Sequence, residues 1–186
     1  MRLSKKKIGQ ITWYLKPFFW NQKRKYGQYL EPAKVWGMIP ALFISVASVY
    51  GVLDRKKSPI PPELRSLISV QVSQMNGCKF CVDLNSANLI KRTRSEEKIQ
   101  HLDKWESSII YSDLEKSVLR YAEQITDSRL QVDDACFDNL RKYFSEDDIV
   151  ELTALIAFQN MSSKFNNALD ITPQGFCKAI PRNKKN

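Results

Sequence analysis

The sequence predicts an all-α subunit of about six or seven helices, and three features carry that expectation. Apolar residues recur at three- and four-residue steps almost throughout, the spacing of one helix face. Ser or Thr stands three positions ahead of an acid at several places, a pattern that starts helices. Only six glycines occur in 186 residues, too few for the turns of an all-β chain. One domain with a real core is expected at this length. The composition, 43% hydrophobic and 26% charged, is globular rather than disordered.

The elements follow in order. Residues 35–53, VWGMIPALFISVASVYGVL, carry no charge and are just long enough to span a bilayer. Basic residues flank both sides (Lys34; Arg55, Lys56, Lys57), so charge assigns no orientation. Pro40, Ser45 and Ser48 suit instead a helix entered at Pro40, buried on most faces and ended by the connector DRKKSPIPP. Pro61 and Pro62 then sit where a first turn tolerates proline, and Leu64, Leu67, Ile68, Val72 and Met75 keep helical spacing up to Asn76-Gly77.

A further helix starts at Cys78 and runs to about Lys91. Capping boxes are read at Thr93 with Glu96, Ser112 with Glu115, and Ser145 with Asp148, while Asp133 caps DACFDNLRKYF. The last helix, EDDIVELTALIAFQNMSSKFNNAL, is apolar on nearly every side. It therefore calls for cover at the centre of a bundle or from a neighbouring subunit.

Charge divides the chain into three parts. Residues 1–36 hold nine Lys/Arg against Glu31 alone, and residues 178–186 hold four with no acid. The helical domain is expected over 37–177, where sixteen basic residues face nineteen acidic ones. The N-terminal arm also interleaves eight aromatics, from Trp13 to Trp36. Such an arm suits an anionic membrane surface or an acidic partner. The plainer reading packs its aromatics on its own body or on a neighbouring subunit, with the lysines left in water. Nucleic acid is not expected, since no module signature accompanies the charge. Neither is a secretory signal, because no apolar core follows the basic start. Four cysteines, two of them isolated (Cys136, Cys177), fit a reducing, cytoplasmic home.

The chemistry concentrates in QMNGCKFCVDLNSA, residues 74–87. Zinc needs about four ligands, and only Cys136, Cys177 and the single histidine, His101, remain, so no metal site is expected. His101 reads as a solvated helix residue. Two cysteines three apart at a helix start lie on one side of it, close enough to close a disulfide loop. The N–H groups and positive end of the helix stabilise a thiolate there, with Lys79 as a minor aid. From the spacing alone, a redox pair, an inert disulfide and two buried apolar cysteines all stay open.

The longer stretch LRSLISVQVSQMNGCKFCVDLNSA resembles the signature of the carboxymuconolactone decarboxylase superfamily, in its alkylhydroperoxidase D-like branch. That signature reads Val-Ser-Gln-x-Asn-Gly-Cys-x-Tyr/Phe-Cys, then three residues and a histidine. The resemblance runs on through Trp105, YSDLEKSVLRYAEQIT and YFSEDDIVELTALIAFQN, covering about residues 37–170. It implies an all-α subunit assembling into trimers or hexamers. Its chemistry would be hydroperoxide reduction or disulfide exchange by Cys78 and Cys81, with no cofactor and with a dithiol or lipoyl-type adaptor protein as reductant. Cys81 would be the nucleophile and Cys78 the more accessible resolving cysteine. The decarboxylase branch lacks the pair, so decarboxylation is not expected.

Two departures bear on activity. The glutamate of the family's proton relay falls on Ser66 and its histidine on Asn85, and neither residue is a base near neutral pH. Asn85, one turn after Cys81, is placed to hydrogen-bond its sulfur. Glu63 lies on nearly the same face as Ser66, as a partial substitute for the relay or simply a first-turn acid. Weak or altered peroxidase activity is therefore expected, or else a non-catalytic scaffold or redox sensor.

Overall fold

The computed structural model describes residues 1–3 and 10–177; the basic tail read at 178–186 and the lysines at 5–7 lie outside the described residues. Nine α-helices and no strand occur among the described residues. They are α1 (Lys16–Tyr26), α2 (Glu31–Trp36), α3 (Pro40–Leu53), α4 (Pro62–Met75) and α5 (Lys79–Thr93), then α6 (Glu97–Gln100), α7 (Asp113–Thr126), α8 (Asp134–Arg141) and α9 (Glu146–Ala168). Seven match the elements read from the sequence. The other two, α1 and α2, form in the basic arm.

Local capping chemistry sets most starts. Ser112 with Glu115 and Ser145 with Asp148 form reciprocal capping boxes, and Asp133 accepts from Cys136 N–H. The box read at Thr93 and Glu96 does not form. Arg94 turns into the left-handed region (φ 57°) and ends α5, while the Thr93 hydroxyl donates to the Leu89 carbonyl. Glu96 serves instead as the N-cap position of the four-residue α6, and Leu102 falls in a separate 3-10 turn.

The most enclosed helix is α4, not the long last one. Every residue from Leu64 to Ser73 is buried, because α5, α7 and α9 pack around it. Leu67, Ile68, Val70 and Val72 are wholly inaccessible, and each such side chain contributes about 1.5–3 kcal/mol by leaving water. By contrast α9 is covered on one side only, with Val150 69% and Met161 46% exposed. The uncharged helix α3 also differs from its expected burial. Only Phe43 and Leu53 are buried, while Ile39, Val49 and Val52 face outward. At fourteen residues it is too short to cross a bilayer, and no helix among the described residues is long and apolar enough to do so.

The arm folds back onto the bundle. Phe19 stacks on Phe43 (centroids 5.5 Å apart) and Trp36 stacks on Phe165 (3.6 Å). Ile11, Leu15 and Ala33 complete this small core. Its charged residues Lys16, Lys23, Arg24 and Lys25 stay exposed, as do Trp13 and Trp20. This packing puts α1 and α2 over one side of the cysteine-bearing helix.

Candidate active site around the cysteine pair

The site begins at a turn. Gly77 takes a left-handed conformation (φ 63°) that a side chain would strain. Asn76 ties the turn to α9 by donating to Asn160 Oδ1 (2.8 Å) and Ser163 Oγ (2.9 Å). The chain enters α5 with Cys78 as N-cap residue, its sulfur accepting from Cys81 N–H at 3.2 Å. Cys78 and Cys81 are joined as a disulfide, their Cα atoms 5.3 Å apart. Both sulfurs thus lie at the positive end of a fifteen-residue helix, where a thiolate is stabilised.

The two cysteines face different surroundings. Cys81 opens on a cavity of about 280 Å3, and its sulfur accepts from Asn166 Nδ2 of α9 at 3.2 Å. Both cysteines are buried, Cys78 at 1% and Cys81 at 4% exposure, in one apolar cluster with Val35, Phe80 and Ile171 flanked by Met1 and Phe176, but Cys78 does not line the cavity. Cys78 is therefore not the more accessible of the two, contrary to the sequence expectation. The segment after α9 covers it. Asp83, buried on α5, accepts from the backbone N–H of Gln174 (2.9 Å), Gly175 (2.7 Å) and Cys177 (2.8 Å), fastening that segment down. Gln174 adds bonds from Glu31 N–H and to the Tyr29 carbonyl.

The residues at the relay positions have other partners. Ser66 lines the cavity, but its hydroxyl accepts from Arg92 Nη1 at 2.7 Å. Asn85 also lines the cavity and donates to Ser73 Oγ (3.4 Å), not to Cys81. Asn166 occupies the place at the sulfur that sequence spacing gave to Asn85. Glu63 is exposed and does not line the cavity, so its carboxylate is not brought to the pair. No glutamate or histidine lines the cavity, and His101 is exposed elsewhere. No cluster of metal-ligating side chains occurs among the described residues.

Of the remaining cysteines, Cys136 is buried, and that burial, with the Asp133 carboxylate beside it, pushes its thiol up to about 11. It is no nucleophile at neutral pH. Cys177 is buried in the covering segment.

Sequence reading missed Asn166 and Gln159, which donates to Ser73 Oγ at 2.9 Å. A signal for them existed. Gln159, Ser163 and Asn166 recur at four- and three-residue steps in the largely polar second half of the last helix, and all three are buried. Polar residues repeated at helical spacing towards the buried face mark a face that meets a polar site.

The profile of the carboxymuconolactone decarboxylase family matches residues 40–124. The uncharacterized protein YnjA of Escherichia coli is 41% identical over 177 residues, 95% of this chain and 97% of its own. Among solved structures, an uncharacterized peroxidase-related protein of Ralstonia eutropha with an alkylhydroperoxidase AhpD core superposes with TM-score 0.83 at 20% identity, covering 94% of this chain and 93% of that one. The debrominase Bmp8, in complex with 2,3,4-tribromopyrrole, superposes with TM-score 0.82 at 22% identity, covering 95% and 93%. At these identities the two structures share the fold, and their different descriptions show that it hosts more than one chemistry.

Proposed function

Because the chain belongs to the carboxymuconolactone decarboxylase family, we propose that it is a thiol-dependent antioxidant protein reducing hydroperoxides through Cys81 and Cys78. The observation that carries this reading is the asymmetry of the pair. Cys81 lines the cavity and accepts from an amide donor, whereas Cys78, in the same apolar cluster, does neither.

The reaction divides into three balanced steps. With the pair reduced, the Cys81 thiolate attacks the terminal peroxide oxygen and the O–O bond breaks. The other oxygen leaves as an alcohol after taking a proton from water, and Cys81 becomes a sulfenic acid. Cys78, having given its proton to solvent, then attacks that sulfur as thiolate; the S–O bond breaks as the disulfide closes, and the departing hydroxide regains that proton as water. A dithiol, or a lipoyl-type adaptor, reduces the disulfide and is itself oxidised.

The helix end and Asn166 lower the cost of the Cys81 thiolate in the first step. With Ser66 and Asn85 at the relay positions, protonation of the leaving oxygen has no glutamate or histidine to serve it, so slow turnover is expected. Steady-state peroxide consumption with dithiothreitol tests the proposal. If the wild type does not exceed Cys81→Ser, the enzyme reading fails and that of a redox sensor takes its place.

The chain is also assigned a homo-oligomer here. Val150, Ala154, Ala157 and Met161 form an exposed apolar stripe on α9 at four-, three- and four-residue steps, and Val49 and Val52 of α3 are exposed as well. Large exposed apolar surface is uncommon on monomers and supports an interface between copies of the chain.

A further inference from the structure

The cavity that receives Cys81 has a second end. Cys81, Asn85, Asn88 and Arg92 all line it, and steps of four, three and four residues keep them on one face of α5. Eleven residues at 1.5 Å each carry that face about 16 Å from the sulfur-bearing turn to Arg92. Ser66 and Ser69 of α4 continue the polar wall. The opposite wall is apolar, built from Trp36 of α2 and Phe43, Val46 and Ala47 of α3. The space is thus elongated, polar along one side and reactive at one end.

Positive charge gathers at the other end. Among the described residues, the lining holds three cations, Lys25, Arg65 and Arg92, and one carboxylate, Asp54. All three converge on that carboxylate, at 3.7, 3.5 and 3.5 Å. Two positive charges are left over in the lining. Arg65 is only 7% exposed. Its Nη1 donates to the carbonyls of Leu53 and Arg55, but its Nε has no acceptor among the described residues. A buried guanidinium N–H without a partner costs on the order of 1–3 kcal/mol, so the Arg65 charge is held here against that cost.

We propose that this end is an anion subsite and that the cavity binds an elongated organic acid. Its carboxylate sits among Arg65, Arg92 and Lys25, and its hydrocarbon body lies along Trp36, Phe43 and Val46. On the hydroperoxide reading above, on which this last clause rests, the peroxide group of such an acid reaches Cys81. The volume, about 280 Å3, lies just under the roughly 300–1,000 Å3 of drug-sized sites and calls for a slender, single-chain acid rather than a bulky one. Ser66 gains a role here. A glutamate at this position would bring a second carboxylate to Arg92 and cancel one free charge, whereas the serine hydroxyl binds Arg92 and leaves its charge intact.

The test is calorimetric binding of octanoate and of its neutral methyl ester to the full chain, at low and high salt. Octanoate is expected to bind at least tenfold more tightly than the ester, with the preference shrinking in high salt. Arg92→Gln and, independently, Ser66→Glu should each cut octanoate affinity about tenfold and leave the ester unchanged. Arg65 is left in place because it also holds the chain between α3 and α4. Equal affinities, no octanoate binding at millimolar concentration, or indifference to both substitutions overturns the proposal. None of these measurements uses a peroxide. Failure of Cys81 to oxidise would therefore remove the peroxidase reading and leave the subsite standing, and the converse also holds.

Discussion

Replacing Asp83 by asparagine asks whether the segment after α9 controls access to the disulfide. The Asp83 side chain is buried, with Oδ2 accepting from Gln174 and Gly175 N–H and Oδ1 from Cys177 N–H. Each bond to a charged acceptor contributes about 1.5–3 kcal/mol. Asparagine keeps the shape but turns one oxygen into a donor, so at least one bond is lost and the others lose their charge assistance. Some of this returns when the freed N–H groups meet water, leaving a net of roughly 2–4 kcal/mol on opening of the segment. At about 1.4 kcal/mol per tenfold, its open population rises roughly 30- to 700-fold. Ile171, 4% exposed in the cluster around Cys78, remains as an apolar anchor, so the bundle itself should persist.

The assay has two readouts: backbone hydrogen exchange over residues 171–177, and the rate at which dithiothreitol reduces Cys78–Cys81, followed by thiol labelling and mass spectrometry. Both should accelerate at least tenfold in Asp83→Asn, with little change in helical circular dichroism. Unchanged exchange would refute the energetic argument. Faster exchange with unchanged reduction would refute the claim that this segment shields Cys78.

Other outcomes follow from the same geometry. Asn166→Ala removes the donor on the Cys81 sulfur; a bond to a charged group is worth about 1.5–3 kcal/mol, so the thiolate pKa should rise by about one unit or more, read by ultraviolet thiolate absorbance. Ser66→Glu with Asn85→His restores an acid and a base to the relay positions and should raise turnover of hydrogen peroxide, a substrate without a carboxylate; no increase would count against the relay argument. If the proposed homo-oligomer forms through the exposed stripe of α9, Val150→Glu puts a charge on it and should shift light scattering from assemblies to single chains. Cys136, its thiol pushed up to about 11, should resist iodoacetamide between pH 7 and 9 in the folded protein and become labelled as pH approaches 11, because only then does its thiolate populate.

What could be read from the sequence was local chemistry. A Ser or Asp caps a helix by reaching an N–H two or three residues on, so Ser112, Asp133 and Ser145 announced their helices without any knowledge of the fold. The cysteines were legible for the same reason, since three residues at a helix start place two sulfurs together wherever that helix lies. The failure at Thr93 has an equally local cause: Arg94 adopts a left-handed turn that nothing in the residue pattern required.

Tertiary structure decided which cysteine faces the cavity and what touches it. Asn166 reaches Cys81 across 85 residues, and Asp83 binds a segment 91 to 94 residues away. The cavity exists because the aromatic arm folds back over α5, and its charged end because Lys25, Asp54, Arg65 and Arg92 come from four separate places in the chain. Hydrophobic spacing records which face of a helix is buried but not what covers it. Hence α9, apolar on nearly every side, called for cover at the centre of the bundle or from a neighbouring subunit, and the centre of the bundle is held by α4. The cysteine pair was written in the sequence; its division into one cavity-facing and one sealed sulfur comes from long-range packing, because only the path of the chain sets which walls enclose each.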